Sequence, residues 1–255
     1  MANYDIIGNI AIVKFSRKEK LKDKKKFALN FLKNTKNVRT VLEKSNKFSG
    51  RLRTQKTKYL AGEKTKEALY HENGCVFRFN VDSCYFSPRL SSERKEISSI
   101  VKKGEKVLVM FGGVAPFAIV ISKLSKAEKV VSVELGRECS KYALENVKRN
   151  KLNNVEIVQG DVRKKLERSK EKFDRIVMAR PNLKDSFLDA AFPLIKNKGI
   201  IHYYGFYDED KRGELLELIR KEALRARNKV KILKTKKAGE IGKRKFRYRV
   251  DFRVI

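Results

Sequence analysis

Acidic side chains are scarce in this 255-residue chain: 30 Asp and Glu stand against 62 Lys and Arg, a formal charge of +32. A lysine-rich surface of the thermophilic kind would carry Glu in near balance with Lys. The imbalance instead implies a polyanionic partner, with nucleic-acid phosphate the first candidate. Cysteine is scarce too. Cys75, Cys84 and Cys139 are scattered and show no CxxC spacing. That argues against a disulfide framework or a zinc site and fits a reducing cytosol. No apolar run approaches the length of a membrane span, and the opening "MANYDIIGN" is neither a signal nor a transit peptide. A soluble cytoplasmic protein is therefore expected, with no membrane contact, no metal and no obligate protein partner inferred. Two phosphate-cradling signatures are also missing, the dinucleotide GxGxxG and the P-loop GxxxxGK[ST].

What is present is a globular pattern, with 41% hydrophobic residues, enough to build a core. "YDIIGNIAIVKF" reads as two short strands about a Gly8-Asn9 turn. Residues 18–35 set Leu21, Phe27, Ala28, Phe31 and Leu32 at helical spacing among lysines, the mark of an amphipathic helix. Residues 38–45, 50–62 and 67–81 are strand-like, separated by Gly, Ser and Asn.

From Pro88 the character changes. Residues 88–104 predict a helix, with proline in its first turn and Gly104 as its stop. Strands then alternate with helices: "KVLVMF", "KVVSVEL", "VEIVQG", "FDRIVMA" and "GIIHYYGF", with helices over 115–125, 137–151, 163–169, 185–197 and 210–226. Alternation of this kind predicts an α/β fold with a mostly parallel sheet covered on both faces. The last two strands, in 230–239 and 243–255, have no helix between them and should form an antiparallel hairpin at one edge, completing seven strands. The expected organisation is a smaller basic α+β domain over 1–82 and an α/β domain over 83–255.

Ligands of open α/β sheets sit beyond the carboxyl ends of the strands. The first such end is "FGGVAPF", where Gly112 and Gly113 would admit close backbone approach. The second is Glu134, about twenty residues on, placed to accept from two ribose hydroxyls. The third is "QGDVR", whose Asp161 can accept from an adenine amino group. Three such signals in succession favour an adenosine-containing ligand. With the dinucleotide and triphosphate signatures missing, S-adenosylmethionine is the adenosine ligand that suits seven strands and a terminal hairpin. After the fourth strand, "ARPNL" lacks the Asn/Asp-Pro-Pro-aromatic pattern that holds an exocyclic amine, so amino methylation of adenine or cytosine is disfavoured.

With these residues assembled, the sequence resembles the archaeal-type tRNA (guanine37-N1)-methyltransferase family. The resemblance is carried by "YDIIGNIAIVKF", "GRLRTQKTKYLAGEKTKEALYHENGCVFRF", "CYFSPRLSSERKEI", "KVLVMFGGVAPFAIVI" and "GIIHYYGF". It implies methyl transfer from S-adenosylmethionine to N1 of the guanosine 3′ to the tRNA anticodon. By matching position, Arg53 corresponds to an arginine at guanine O6 and Tyr85 to a tyrosine lining the base pocket. Glu93 corresponds to the proposed general base, and Arg94 to an arginine beside the methionine end of the cofactor. Arg89 and Pro181 fall among the substrate-side positions. Phe111, Gly112, Gly113, Glu134, Leu135, Asp161, Val162 and Ala179 fall among the cofactor-side ones. Three departures stand out. Ala179 replaces an asparagine of many relatives, Val109 replaces an aspartate, and an extra N-terminal domain of larger relatives has no counterpart in this sequence.

The chemistry explains these residue types. Guanine N1 carries a proton at neutral pH, so a base must take it as the methyl arrives, while charge spreading to O6 calls for a fixed cation. On charge alone Glu93 would pass for a solvated helix residue and Arg53 for a phosphate contact. His202, Tyr203 and Tyr204 read as packing residues that close the sheet. The target base must leave its stack, which an unpaired loop makes easier. The first 66 residues hold 19 Lys/Arg and 5 Asp/Glu, so this segment, through Lys18–Lys26 and Arg51–Lys58, is expected to grip the anticodon stem-loop. Rival readings are a methyltransferase acting also on a tricyclic wyosine intermediate at the same position, an aminocarboxypropyl transferase, or a non-catalytic RNA binder with a degenerate cofactor fold.

Overall fold

The amino-terminal part of the chain carries a four-stranded sheet of β1 (Asn3–Ile7), β2 (Ile10–Lys14), β3 (Thr40–Lys44) and β4 (Thr57–Gly62), in that order. This is a computed structural model, and it describes residues 3–16, 18–46, 50–179, 185–242 and 244–255. One helix, α1 (Leu21–Asn34), crosses from β2 to the parallel β3. Its apolar stripe of Phe27, Ala28, Phe31 and Leu32 packs on Ala11, Val13, Val41, Leu60 and Ala61, leaving most of its lysines facing water. Gly8 turns the first hairpin at φ +58, where a Cβ would strike the Leu69 carbonyl at 1.9 Å. Of the strand expected over 50–62 only Thr57–Gly62 forms; Arg51–Arg53 is a turn, with Arg53 itself left-handed at φ +51.

A separate hairpin follows, β5 (Glu67–Glu72) and β6 (Cys75–Asn80), closed by Asn73-Gly74. Both turn residues have positive φ, the type I′ geometry that matches strand twist. Next come α2 (Ser91–Ser99), β7 (Lys106–Met110), α3 (Pro116–Leu124), β8 (Lys129–Glu134), α4 (Arg137–Arg149), β9 (Val155–Gln159), α5 (Val162–Leu166) and β10 (Phe173–Met178). The chain ends in α6 (Leu188–Ala191), β11 (Ile195–Asp208), α7 (Arg212–Arg225), β12 (Val230–Gly242) and β13 (Lys245–Val254).

The seven-stranded sheet has the order β12-β13-β11-β10-β7-β8-β9. The five strands β11-β10-β7-β8-β9 run parallel, and β13 and β12 are added antiparallel, as the alternation predicted. Both faces are covered. Val107 and Val109 of β7 point into a core shared with α2, α3 and α4, and Leu108 and Met110 into one shared with α6 and α7. Near-continuous apolar strands are what two buried faces require. Val109, in place of an aspartate, is simply core here. The β5–β6 hairpin is fastened to α4: Asn146 and Asn150 exchange side-chain hydrogen bonds with the backbones of Arg78 and Val76 at 2.7–3.1 Å.

Three expectations are corrected. Helix α2 stops at Ser99, not at Gly104, because the buried Arg175 guanidinium takes the Ile100 carbonyl at 3.0 Å and Val101 turns into the core. The helix expected over 185–197 shortens to α6 and a 3-10 turn at Phe192–Leu194 holding Pro193, and β11 begins at Ile195. The cysteines are not all free: Cys84 and Cys139, 55 residues apart, form a disulfide with Cα atoms 5.5 Å apart, and Cys75 stays a buried thiol. Tertiary folding joins them, which spacing along the chain could not reveal. Among the described residues no helix is long and apolar enough to cross a membrane, and no three His, Cys, Asp or Glu side chains gather into a metal site.

Candidate cofactor and substrate site

Beyond the carboxyl ends of β7, β8, β9 and β10 lies a cavity that draws one wall from the four-stranded sheet's loop. The turn after β7 is its floor. Phe111, Gly113 and Ala115 all adopt positive φ (63°, 57° and 64°), and Pro116 then starts α3. Left-handed backbone in a phenylalanine and an alanine is strained, and such strain collects at functional loops. The two glycines do different work. A Cβ on Gly112 would meet Ser132 Oγ at 2.1 Å, so its bareness serves packing of β7 on β8. Gly113 presents its N–H to Glu134 Oε2 at 2.8 Å.

Glu134 ends β8 with both oxygens fixed, since Gly136 N–H donates to Oε1 at 2.6 Å. Burial pushes its carboxyl above the ordinary range, and the amides of Gly136 and Gly113 oppose that rise. Each oxygen keeps a lone pair for a further donor. Asp161, after β9, caps α5 by accepting from Arg163 N–H at 3.0 Å through Oδ1 and meets Arg51 Nη2 at 2.9 Å through Oδ2. Phe111, Leu135, Val162 and Phe187 supply apolar walls, with the Phe111 and Phe187 rings edge to face at 5.0 Å. Paired acceptors beside an apolar slot are the acceptor set that an adenosine's hydroxyl and amino donors need, so the residues present fit the expected cofactor.

The same cavity holds Arg53 over Tyr85, guanidinium carbon 4.6 Å from the ring centroid. Arg94 also lines the cavity; it is fully buried, forks onto Glu72, donates to the Ser87 carbonyl at 3.1 Å and lies over the Phe86 ring at 5.1 Å. Ala179 stands at the end of β10 on the cavity wall.

Of the expected site residues the structure thus gathers Arg53, Tyr85, Arg94, Phe111, Gly112, Gly113, Glu134, Leu135, Asp161, Val162 and Ala179 around one cavity. Two others lie elsewhere. Arg89 is an exposed side chain 3.3 Å from Asp5. Glu93 is buried behind the cavity wall, where Oε2 accepts from Tyr204 Oη at 3.0 Å and Arg249 Nη1 at 2.7 Å, and Oε1 faces Lys236 Nζ at 2.7 Å. Pro181 falls outside the described residues. Sequence reading missed Phe187, Phe206, Arg247, Cys139 and Tyr204 as lining residues. Phe187, Tyr204, Phe206 and Arg247 come from a loop and strands far along the chain, Cys139 from the first turn of α4, and no local motif marks them. For Tyr204, expected only to close the sheet, the structure adds both the cavity wall and the Glu93 hydrogen bond.

A seven-stranded sheet with this order, and a cavity with paired carboxylates at successive strand ends, defines the class as an α/β methyltransferase. The TRM5/TYW2 methyltransferase domain matches residues 68–233, and the TYW2 N-terminal domain matches residues 1–65. The chain belongs to the TRM5/TYW2 methyltransferase family. Trm5b of Pyrococcus abyssi, a tRNA (guanine(37)-N(1))-methyltransferase, is 39% identical over 99% of this chain and 74% of its own length. Its crystal structure superposes with a TM-score of 0.88 at 38% identity, over 99% of this chain and 74% of that one. Taw22 of Nanoarchaeum equitans, a tRNA (guanine(37)-N(1))/4-demethylwyosine(37)-methyltransferase, is 33% identical over 99% of this chain and 100% of its own. An aminocarboxypropyltransferase of Methanocaldococcus jannaschii acting on 4-demethylwyosine(37) of tRNA(Phe) is 34% identical over 79% of this chain and 77% of its own. TYW2 of M. jannaschii, solved in complex with AdoMet, superposes with a TM-score of 0.74 at 25% identity, over 99% of both chains.

Proposed function

We propose that this chain transfers a methyl group from S-adenosylmethionine to N1 of guanosine 37 of tRNA, beside the anticodon. The observation that carries the reading is one cavity holding both halves of the chemistry: the Arg53–Tyr85 stack on one side and the Glu134 and Asp161 carboxylates on the other. Family membership supports it, through relatives named for that reaction.

When bound, the cofactor supplies an electrophilic methyl on a sulfonium. The chain's residues do the rest. Glu134 accepts from the ribose hydroxyls, Asp161 from the adenine amino group, and Phe111, Leu135, Val162 and Phe187 exclude water from the base. Arg94, anchored by Glu72, stands toward the methionine end. Tyr85 offers a ring for the extruded guanine and holds the Arg53 guanidinium flat, so that its cation meets the charge developing on O6. Glu93 is the eventual acceptor of the N1 proton. Ala179 leaves room where many relatives carry an asparagine. Residues 1–82 grip the anticodon stem-loop through their lysines.

A second reading has its own support. The N. equitans relative, matched along its entire length, is named for action on both guanosine 37 and 4-demethylwyosine 37, and residues 1–65 match the TYW2 N-terminal domain. The test is incubation of anticodon-arm transcripts with labelled S-adenosylmethionine, followed by nucleoside mapping. Label in N1-methylguanosine supports the first reading, and label on a tricyclic base when such a tRNA is supplied adds the second. Label in neither overturns both. Replacing Glu93 by Gln should lower methyl transfer by about 10²–10⁴-fold while leaving cofactor affinity nearly intact.

A further inference from the structure

Glu93 does not line the cavity, yet the N1 proton must reach it. Its carboxylate has three donors, Tyr204, Arg249 and Lys236, and of these Tyr204 alone also lines the cavity. Arg249 and Lys236 bind Glu96 as well, at 2.6 Å each, and neither lines the cavity. They hold the carboxylate in place and offer no lone pair. A phenol donates one hydrogen and keeps two lone pairs. The Tyr204 O–H is directed at Glu93 Oε2, at 3.0 Å, and Arg249 also donates to its oxygen, so one lone pair is left for a donor from the cavity.

We propose that Tyr204 is the relay through which Glu93 acts as base. As N1 of guanine bonds to the methyl carbon and the carbon–sulfur bond breaks, with its electron pair staying on sulfur, the N1 proton passes to Tyr204 Oη. The hydroxyl's own proton passes at the same time to Glu93 Oε2. The enzyme is left with a neutral tyrosine and a protonated Glu93, which then loses its proton to solvent. Burial and the neighbouring Glu93 charge raise the Tyr204 hydroxyl well above its ordinary range. The residue is therefore neutral at working pH, and it can take a proton only by handing one on. The ring is held for this task by its place in β11 and by Phe117, 6.0 Å away between centroids.

The inference rests on the N1-methylation reading above, and the experiment separates the two. Single-turnover methyl transfer to anticodon-arm RNA is measured for the wild type, Y204F, E93Q and the double variant, with S-adenosylmethionine affinity measured by calorimetry. The relay predicts that Y204F is slowed on the order of 10²-fold, that the double variant is no slower than E93Q alone, and that cofactor affinity changes by less than threefold in each. Y204F at the wild-type rate beside an impaired E93Q overturns the relay and leaves Glu93 as a direct base. So does a double variant slowed by the product of the two single effects. No N1-methylguanosine from the wild type overturns both. As a second variant, 3-fluorotyrosine at position 204 keeps the ring, the hydroxyl and the bond to Glu93. The relay predicts a several-fold change in rate and a fluorine resonance that moves when Glu93→Gln is added. An unchanged rate or an unmoved resonance overturns it, because a tyrosine that only props Glu93 would be indifferent to its own acidity.

Discussion

Arg51 Nη2 lies 2.9 Å from Asp161 Oδ2, joining the loop of the basic amino-terminal sheet to a carboxylate of the cofactor cavity across 110 residues of sequence. The two partners are unequal: Arg51 is 62% exposed at its side chain and Asp161 24%. Exposed pairs of this kind are worth about 0–1 kcal/mol. Asp161 matters more for its other oxygen, which caps α5, and, on the proposed reading, for what it would offer an adenine.

Separating these roles gives the first prediction. Asp161→Ala removes both the cap and the acceptor, and should cost about 1 kcal/mol of stability together with about tenfold in S-adenosylmethionine affinity. Asp161→Asn should restore most of the stability while recovering less of the affinity. Arg51→Ala should leave affinity within about threefold, as an exposed pair allows. Thermal unfolding and calorimetric titration measure the two quantities on the same samples. A tenfold loss of affinity in Arg51→Ala would move the cofactor contact from Asp161 to Arg51.

Glu134 gives a pH prediction whose two signs oppose each other. Burial raises its folded-state value above the ordinary 4.5, against the lowering amides of Gly136 and Gly113. In the free protein its contribution to stability is therefore fully present below that ordinary value and is lost as pH rises through the raised one. Cofactor binding is expected to run the other way, because on the proposed reading ribose hydroxyls would donate to the ionised form. Affinity should fall on acidification, beginning at a pH above 4.5 and steepening toward about tenfold per pH unit. Glu134→Gln should bind more weakly and with a flat profile. Titrations at stepped pH decide it, and a wild-type affinity that does not vary across this range removes Glu134 from the cofactor contact.

How much of this was legible in the sequence follows from the range of each interaction. The glycines after β7, Glu134 and Asp161 could be placed because strand alternation fixes where a parallel sheet's carboxyl ends lie. Gly112 follows β7 beside the cavity, and the structure gives its bareness a packing reason, the 2.1 Å approach to Ser132 on the neighbouring strand, which only strand pairing discloses. Arg53 and Tyr85 were named through resemblance; their stacking depends on a left-handed turn at Arg53 that composition does not announce. The Glu93 partners were invisible. Tyr204, Lys236 and Arg249 reside on β11, β12 and β13, more than 100 residues downstream, and they meet α2 only because β13 is inserted between β11 and β12. The shortened α2 has a similar origin, a side chain of β10 taking the Ile100 carbonyl just past its end.

The disulfide carries a third prediction. Cys84 adjoins Tyr85 and Cys139 lines the cavity near Glu134, so the bond ties the loop that carries Tyr85 to the first turn of α4. Closing a loop of 55 residues restricts the unfolded chain by roughly 4 kcal/mol in the chain-entropy account. Cys84→Ser with Cys139→Ser should lower the melting temperature by about 10 °C, and reductant should lower that of the wild type by a similar amount while leaving the double variant unmoved. Scanning calorimetry with and without reductant reads this out. Equal melting temperatures for the oxidised wild type and the double variant would show that the bond adds nothing to the fold.

The last prediction concerns the amino-terminal charge. On α1, Lys22, Lys25 and Lys26 are exposed, whereas Lys24 is held 2.6 Å from Glu43 and is committed to the fold. A lysine that neutralises a phosphate releases a condensed counterion, so each contact adds about 0.7–0.9 to the slope of log affinity against log salt. If α1 faces the RNA, changing Lys22, Lys25 and Lys26 together to Gln should flatten that slope by about 2–3. The same change should weaken binding at low salt far more than at high salt, and leave S-adenosylmethionine affinity untouched. Lys24→Gln should do the reverse, costing a little stability and almost nothing in slope. Filter binding of an anticodon-arm RNA across a salt series measures the slope directly. A slope unchanged in the triple variant would place the phosphate grip elsewhere, and the lysines of β12 would be the next group to replace.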